Sequence, residues 1–124
     1  MAGRRILIVE DDEDGGTSLR MLLATLGHDA HHVVTGEQAV AAARDLRPEV
    51  VIMDINLPSI DGYEAARRIR AASSGELKAI IALTGFGQAR DIEKSQAEKI
   101  DHHLVKPCDL SVLTGILDRL PAAG

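Results

Sequence analysis

In the segment Val50-Val-Ile-Met-Asp54, four apolar residues run without interruption into a carboxylate. Such a run is typical of a strand that is buried on both faces, in the middle of a parallel sheet. Ile6 to Val9 and Ala79 to Leu83 have the same character. We therefore predict three central parallel strands, and a polar residue follows each of them.

Segments of helical period separate these strands. A stripe of leucines that stops at Gly27 predicts the first helix. Thr35 opens the second with the spacing of a capping box, since a glutamine follows three residues later, and Pro48 ends it. Asp109 opens the last helix, which ends before Pro121. These patterns indicate alternating β and α units.

Two further strands, Ala30 to Val34 and His102 to Val105, are shorter and more polar, which favours the edges of the sheet. A weakly apolar helix from about Gln88 to Lys99 precedes the last strand. Alternating units with right-handed crossovers predict a flavodoxin-like, doubly wound sheet of five parallel strands in the order 2-1-3-4-5, with five helices. We expect one domain over residues 1–124, with a core of about residues 4–120.

Composition excludes several classes of protein. A formal charge of -5 and a pI near 5.4 disfavour binding to nucleic acid or anionic lipid, which requires a basic surface. The basic start of the chain is followed by only four apolar residues, too few for a signal peptide or a membrane span. The lone Cys108 can form no internal disulfide. We expect a cytoplasmic protein that contacts neither nucleic acid nor membrane directly.

Charged and hydroxyl side chains follow four of the predicted strands. They are Glu10 and Asp11, then Asp54, then Thr84, and finally Lys106. Because the carboxyl ends of parallel strands meet at one rim, three carboxylates crowd a pocket and repel one another. One divalent cation together with Lys106 balances their charge. Oxygen ligands of this kind favour Mg²⁺ or Mn²⁺.

Other polar residues have simpler interpretations. Asp12 fits the N-cap of the first helix. The pairs His31-His32 and His102-His103 would suit a metal ion, but their strands are expected at opposite edges of the sheet. Adjacent residues of a strand also point to opposite faces. We therefore predict no histidine metal site, and we expect Tyr63 to pack on a helix face.

Four motifs at the strand ends closely resemble response-regulator receiver domains. They are Ile6-Leu-Ile-Val-Glu10-Asp11-Asp12, Val51-Ile-Met-Asp54-Ile-Asn-Leu-Pro58-x-x-Asp-Gly62, Ala82-Leu-Thr84-Gly85 and Leu104-Val-Lys106-Pro107. The resemblance covers essentially the whole chain, and the order of the motifs makes it specific. The longer segments Ala82-Leu-Thr84-Gly-Phe-Gly87 and Asp101-His-His-Leu-Val-Lys106-Pro107 are also similar to receivers joined to sensor kinases and to chemotaxis methylation enzymes.

The resemblance implies a role for each site residue. Asp54 would be the phosphoacceptor, and Glu10 and Asp11 the acidic pair that holds Mg²⁺, with Asp11 as the direct ligand. The backbone carbonyl of Asn56 would be the third protein ligand. In the same family Thr84 and Lys106 would bind the phosphoryl oxygens.

Two further positions complete the implied site. Pro107 would present Lys106 through a peptide bond that is cis in the family. Thr84 would act as a switch together with an aromatic residue three positions before the lysine. The family usually has Tyr or Phe at that position, and this chain has His103.

The implied function is phosphoryl transfer to Asp54 from a histidine kinase or a histidine phosphotransfer domain. The chain would be a signalling phosphoacceptor that catalyses its own phosphorylation and dephosphorylation, and not an enzyme with a separate substrate. It would act as a monomer or weak homodimer. Because the chain ends after the last predicted helix, we expect its output to pass through an unknown downstream protein.

Three alternatives share parts of this pattern. An aspartyl phosphatase also needs Asp, Thr, Lys and Mg²⁺, but it requires a second Asp where this chain has Asn56. A flavodoxin-like FMN carrier would bind phosphate after the first strand, where carboxylates stand here. A degenerate receiver that only binds proteins would not need Asp54, Asp11, Thr84 and Lys106 intact.

Overall fold

The computed structural model describes residues 3–55, 57, 60, 62–73, 75–84, 100–105 and 109–121, with Thr84 described by its backbone only. The strands are β1 Arg5–Val9, β2 Asp29–Val33, β3 Val50–Asp54, β4 Ala79–Thr84 and β5 His102–Val105. The helices in these ranges are α1 Glu13–Thr25, α2 Gly36–Leu46, α3 Gly62–Ala72 and α4 Leu110–Arg119. None of the helices described has the length and apolar character needed to cross a bilayer.

All strand pairs in the sheet are parallel, and the order is β2-β1-β3-β4-β5. This confirms the predicted doubly wound, flavodoxin-like topology, and the predicted strand bounds agree within one residue. Four of the five predicted helices are present in the described ranges. The other, expected from about Gln88 to Lys99, lies outside the described residues, as does Cys108.

Two apolar layers cover the sheet. Because successive strand residues face opposite sides, Leu7 and Val9 pack with α2 and α3, whereas Ile6 and Ile8 pack with α1 and α4. The side chains of β1 and β3 are almost entirely buried. Each fully buried Leu or Ile contributes about 1.5–3 kcal/mol, so the continuous apolar runs are stable only at the centre of the sheet.

Local hydrogen bonds start the helices where the sequence predicted them. Thr35 Oγ1 accepts a bond from the Gln38 N–H at 3.1 Å, and Gln38 Oε1 accepts one from the Val34 N–H at 2.9 Å. Asp109 Oδ1 likewise accepts a bond from the Ser111 N–H at 2.9 Å. The predicted caps of the second and last helices are therefore confirmed.

The predicted cap of the first helix is only half right. Asp12 takes the N-cap position of α1, but within the described part of the chain its carboxylate accepts no capping bond. The carboxylate lies beside Gly15, the third residue of α1, where a capping side chain normally lies and where an added Cβ would be 3.0 Å from Oδ2. The backbone carbonyl of Asp12 still begins the helix by accepting a bond from the Gly16 N–H at 2.9 Å.

Arg4 ties the end of the last helix to the amino-terminal rim of the sheet. Its guanidinium donates to the carbonyl oxygens of Leu117 at 3.0 Å, Leu120 at 2.6 Å and Pro121 at 2.8 Å. The same group pairs with the buried carboxylate of Glu49 at 3.3 Å. These bonds satisfy carbonyls that a helix end would otherwise leave free. The functional residues gather at the opposite rim.

Candidate functional site

The register between β1 and β3 brings two carboxylates together. Val9 pairs with Met53, so the next residues, Glu10 and Asp54, are neighbours at the carboxyl rim of the sheet. Glu10 is 8% exposed and Asp54 5%, whereas Asp11 is exposed. One carboxylate oxygen from each of the three lies within 4.8 Å of the other two. The acidic pocket predicted from the sequence is therefore formed.

The three carboxylates of the acidic pocket (Glu10, Asp11 and Asp54) repel one another. Two unit charges at this distance repel by about 3.5 kcal/mol at an effective dielectric constant of about 20. Burial of Glu10 and Asp54 removes most of the water that would screen them. A small divalent cation relieves the repulsion, and a purely carboxylate set suits Mg²⁺ or Mn²⁺. The exposed Asp11 leaves one side of the pocket open to solvent.

Strand β2 holds the segment that carries Glu10 and Asp11. The Glu10 N–H donates to the carbonyl of Val33 at 3.1 Å. The Glu10 carbonyl accepts a bond from Nε2 of His32 at 2.8 Å, and because a carbonyl can only accept, Nε2 must carry the proton. The sequence pattern offers His32 only as a candidate metal ligand and does not predict this contact. Adjacent residues of a strand point to opposite faces, so the sequence indicates that His31 and His32 face opposite sides of the sheet. It does not indicate which of the two faces α1.

Gly62, the first residue of α3, lies against the end of β3. A Cβ at this position would lie 2.7 Å from the backbone oxygen of Asp54 and 2.8 Å from Cα of Ile55. The Gly62 N–H donates to the carbonyl of Ile55 at 3.0 Å. The helix can approach the strand end that carries Asp54 only because this residue has no side chain. Gly62 belonged to a quoted motif, but sequence reasoning gave it no role.

The remaining predicted site residues are described in part or not at all. Asn56, Lys106, Pro107 and the side chain of Thr84 lie outside the described residues, so their roles stay predictions. The backbone of Thr84 ends β4 and pairs with Val105, the last residue of β5. Lys106 follows Val105 in the chain. The strand ends that carry the predicted residues thus meet at one rim.

His103, the predicted switch position, lies on β5 with its side chain half-buried. Both ring nitrogens are buried, and within the described part of the chain neither has a hydrogen-bond partner. Strands β2 and β5 form opposite edges of the sheet, so the two histidine pairs do not meet. The predicted placement of β2 and β5 at opposite edges of the sheet is therefore confirmed.

A five-stranded parallel sheet in this order, with an acidic pocket at its carboxyl rim, defines an α/β protein of the receiver type. The sequence matches the family model "Response regulator receiver domain" over residues 6–118. The chain therefore belongs to the response-regulator receiver domain family.

Two curated relatives illustrate the match. The transcriptional regulatory protein AfsQ1 of Streptomyces coelicolor is 33% identical over 108 residues, which are 87% of this chain and 47% of AfsQ1. The virulence sensor protein BvgS of Bordetella pertussis is 36% identical over 114 residues, 88% of this chain and 9% of BvgS. The chain thus spans about half of the first relative and a small part of the second.

Solved structures agree in fold. A CheY-like receiver domain from Methylobacillus flagellatus superposes with a TM-score of 0.85 at 31% identity, covering 94% of this chain and 98% of that one. The receiver domain of the sensor histidine kinase PA1611 from Pseudomonas aeruginosa PAO1 gives 0.82 at 37% identity, covering 95% and 97%. That structure has a magnesium ion coordinated in its active-site cleft.

Membership in the family decides between a receiver and the two other kinds of protein considered for the sequence. The chain is a receiver domain like those of response regulators and sensor kinases, which serve in two-component phosphorelay signalling. Receiver domains interact with histidine kinases or phosphotransfer domains. The aspartyl phosphatase and the FMN carrier are thereby set aside.

Proposed function

We propose that this receiver accepts a phosphoryl group on Asp54 from the phosphohistidine of a histidine kinase or histidine phosphotransfer domain, and that the reaction depends on Mg²⁺ or Mn²⁺. The observation that supports this best is the acidic pocket, in which oxygens of Glu10, Asp11 and Asp54 lie within 4.8 Å of one another. Like charges so close destabilise the fold unless a cation is bound there. A cation site beside a buried aspartate suits phosphoryl transfer.

Asp54 is the nucleophile in this proposal. One of its carboxylate oxygens bonds to phosphorus as the bond from phosphorus to the partner's imidazole nitrogen breaks, which leaves an acyl phosphate on Asp54. Its backbone is fixed at the end of β3, where Gly62 lies against the Asp54 carbonyl, so the base of the nucleophile is held in place.

Glu10, Asp11 and the backbone carbonyl of Asn56 would hold the metal ion together with Asp54. When bound, the ion neutralises the charge of the carboxylates and of the transferring phosphoryl group. Glu10 is buried and hydrogen-bonded through its backbone, so it is a rigid part of this set. Asp11 is exposed and contributes its carboxylate from the solvent side.

Residues of the neighbouring strand ends would complete the reaction. Thr84 and Lys106 bind the phosphoryl oxygens, and Pro107 orients the lysine. Water entering the same site later hydrolyses the acyl phosphate, so the protein dephosphorylates itself. Movement of Thr84 and His103 signals the phosphorylated state to a downstream protein. We assign this activity to the cytoplasm and to a monomer or weak homodimer.

Phosphorylation of Asp54 can be tested by intact-mass spectrometry after incubation with acetyl phosphate or a phosphorylated kinase in Mg²⁺. The wild type should gain one phosphoryl group, and EDTA or the Asp54→Asn substitution should abolish the gain. Asp45→Asn, which removes an exposed aspartate from α2, is the matched control and should be labelled normally. Undiminished labelling of Asp54→Asn would refute the assignment.

The roles of Thr84 and Lys106 can be tested without a kinase. Beryllofluoride with Mg²⁺ mimics the phosphorylated aspartate, so it should shift the backbone amide resonances of both residues in the wild type. The Asp54→Asn variant should give no such shifts. Amide resonances at positions 84 and 106 that stay unchanged in the wild type would contradict the proposed phosphoryl contacts.

A further inference from the structure

We infer that His32 is a positioning residue for the acidic pocket. Its Nε2–H···O bond to the Glu10 carbonyl sets the plane of the peptide that joins Glu10 to Asp11, and thereby aims the Asp11 carboxylate. The inference rests on the proposed function, because Asp11 matters only if the pocket holds a metal ion. Nothing in the family resemblance assigns a role to this position.

Hydrogen bonds hold Glu10 on both sides of its Cα. The N–H donates to Val33 at 3.1 Å, and the carbonyl accepts from His32 at 2.8 Å. Because the peptide bond is planar, a held carbonyl on Glu10 also sets the direction in which the backbone enters Asp11. Asp11 is exposed, so packing does not orient its side chain. The backbone is what aims it, and His32 holds that backbone.

Helix α1 is shaped to admit the imidazole. Gly16 is buried in the first turns of α1, and a Cβ there would overlap Nε2, Cε1 and Cδ2 of His32. Glycine is a poor helix residue, so its presence needs a reason. The space it leaves is the space that the ring of His32 occupies. Gly16 and His32 therefore act as a matched pair.

The neighbouring histidine has a different environment. Nε2 of His31 lies 3.0 Å from Oδ1 of Asp29, on a half-exposed part of β2. Nε2 of His32 instead carries a proton and donates it in a hydrogen bond to the Glu10 carbonyl, so that nitrogen has no lone pair for a metal ion. His32 affects the pocket through the backbone of Glu10. It is therefore a positioning residue and not a metal ligand.

The first test compares two substitutions of His32 by isothermal titration with Mg²⁺ alone. His32→Leu removes the donor and should weaken Mg²⁺ binding about 10-fold, the effect expected for a residue that orients metal ligands. His32→Gln keeps an N–H at similar reach and should restore most of the affinity. The rate of labelling by acetyl phosphate should follow the same order. If His32→Leu melts lower but binds Mg²⁺ like the wild type, the residue is only structural and the inference fails.

A second test compares the effect of Gly16→Ala in two backgrounds, so it does not depend on the stability of the His32→Leu variant alone. Gly16→Ala should weaken Mg²⁺ binding in the wild type by displacing the ring, but should add nothing in a His32→Ala background, where the space is free. Gly115→Ala, whose new methyl group meets nothing within 4 Å, is the matched helical control and should bind Mg²⁺ normally. Equal effects of Gly16→Ala in both backgrounds would overturn the pairing.

The ring itself gives a readout that needs no variant. Nitrogen-15 spectra of the metal-free wild type should show the His32 tautomer with hydrogen on Nε2, and the Nδ1–H tautomer would overturn the inference. The same experiments distinguish failure of the proposed function from failure of the His32 inference. A wild type that neither binds Mg²⁺ nor is labelled on Asp54 overturns both ideas. A wild type that does both, with His32 variants indistinguishable from it, overturns this one alone.

Discussion

Alanine at position 62 should damage the acidic pocket without altering any of its carboxylates. The new Cβ would lie 2.7 Å from the Asp54 oxygen and 2.8 Å from the Ile55 Cα. Carbon atoms in contact prefer about 3.5 Å, so the start of α3 or the end of β3 must move by roughly 0.7 Å. Both obstructing atoms belong to the backbone, and no side-chain rotation can relieve the overlap.

The energetic effect of Gly62→Ala follows from two opposing terms. Overpacking of this kind costs about 1–3 kcal/mol. The higher helix propensity of alanine stabilises the fold by up to about 1 kcal/mol, and by less than that at the first residue of a helix. The net loss should be about 1–2 kcal/mol, which lowers the melting temperature of a domain of this size by about 3–10 °C. Displacement of the Asp54 backbone should also slow labelling by about 10-fold, since sub-ångström misplacement weakens in-line transfer.

Two measurements on matched variants check this prediction. Thermal unfolding in EDTA gives the stability term, and the initial rate of labelling by acetyl phosphate gives the positional term. Gly115→Ala, in the open part of α4, should be as stable as the wild type or up to about 1 kcal/mol more stable, with an unchanged labelling rate. A Gly62→Ala protein that melts and is labelled like the wild type would refute the close approach of α3 to β3.

Two further predictions concern the opposite rim. Arg4→Ala should cost about 3–5 kcal/mol in urea unfolding, because it removes the ionic partner of the buried Glu49 carboxylate, which among the described residues keeps only the Arg5 N–H, and the donors to the carbonyls at the end of α4. Arg67→Ala, which removes an exposed pair on α3, should change little, and equal losses would contradict the role of Arg4. Burial and the nearby Arg4 guanidinium lower the pKa of His28 below its ordinary 6.5, so the folded state favours the neutral ring, which accepts the Arg4 N–H at Nδ1. The stability from this group is present above pH 6.5 and is lost as the pH falls through the lowered pKa. His28→Gln should therefore reduce the pH dependence of the free energy of unfolding in urea over this range. Equal pH dependence in the wild type and the variant would contradict this prediction.

Much of the fold could be predicted because its causes are local. The apolar run before Asp54 is stable only in the centre of a sheet, and the cap at Thr35 depends on residues three positions apart. Such signals predicted the strand order and the rim at which the carboxylates meet. The same local rule predicted Asp12 as the N-cap of α1, and Asp12 takes that position, but its carboxylate lies beside Gly15 without a capping hydrogen bond. Spacing predicts the N-cap residue, whereas the orientation of its carboxylate depends on the surrounding structure.

The alternation of elements and the acidic group could be predicted from composition and spacing alone. The contact of Gly62 with Asp54, and the hydrogen bond from His32 rather than His31 to Glu10, follow instead from the packed fold. The two histidines are chemically identical and adjacent. The register of β2 against β1 separates them, since a shift of one residue would exchange the faces on which they lie. That register depends on the packing of whole strands and helices, which no single stretch of sequence contains.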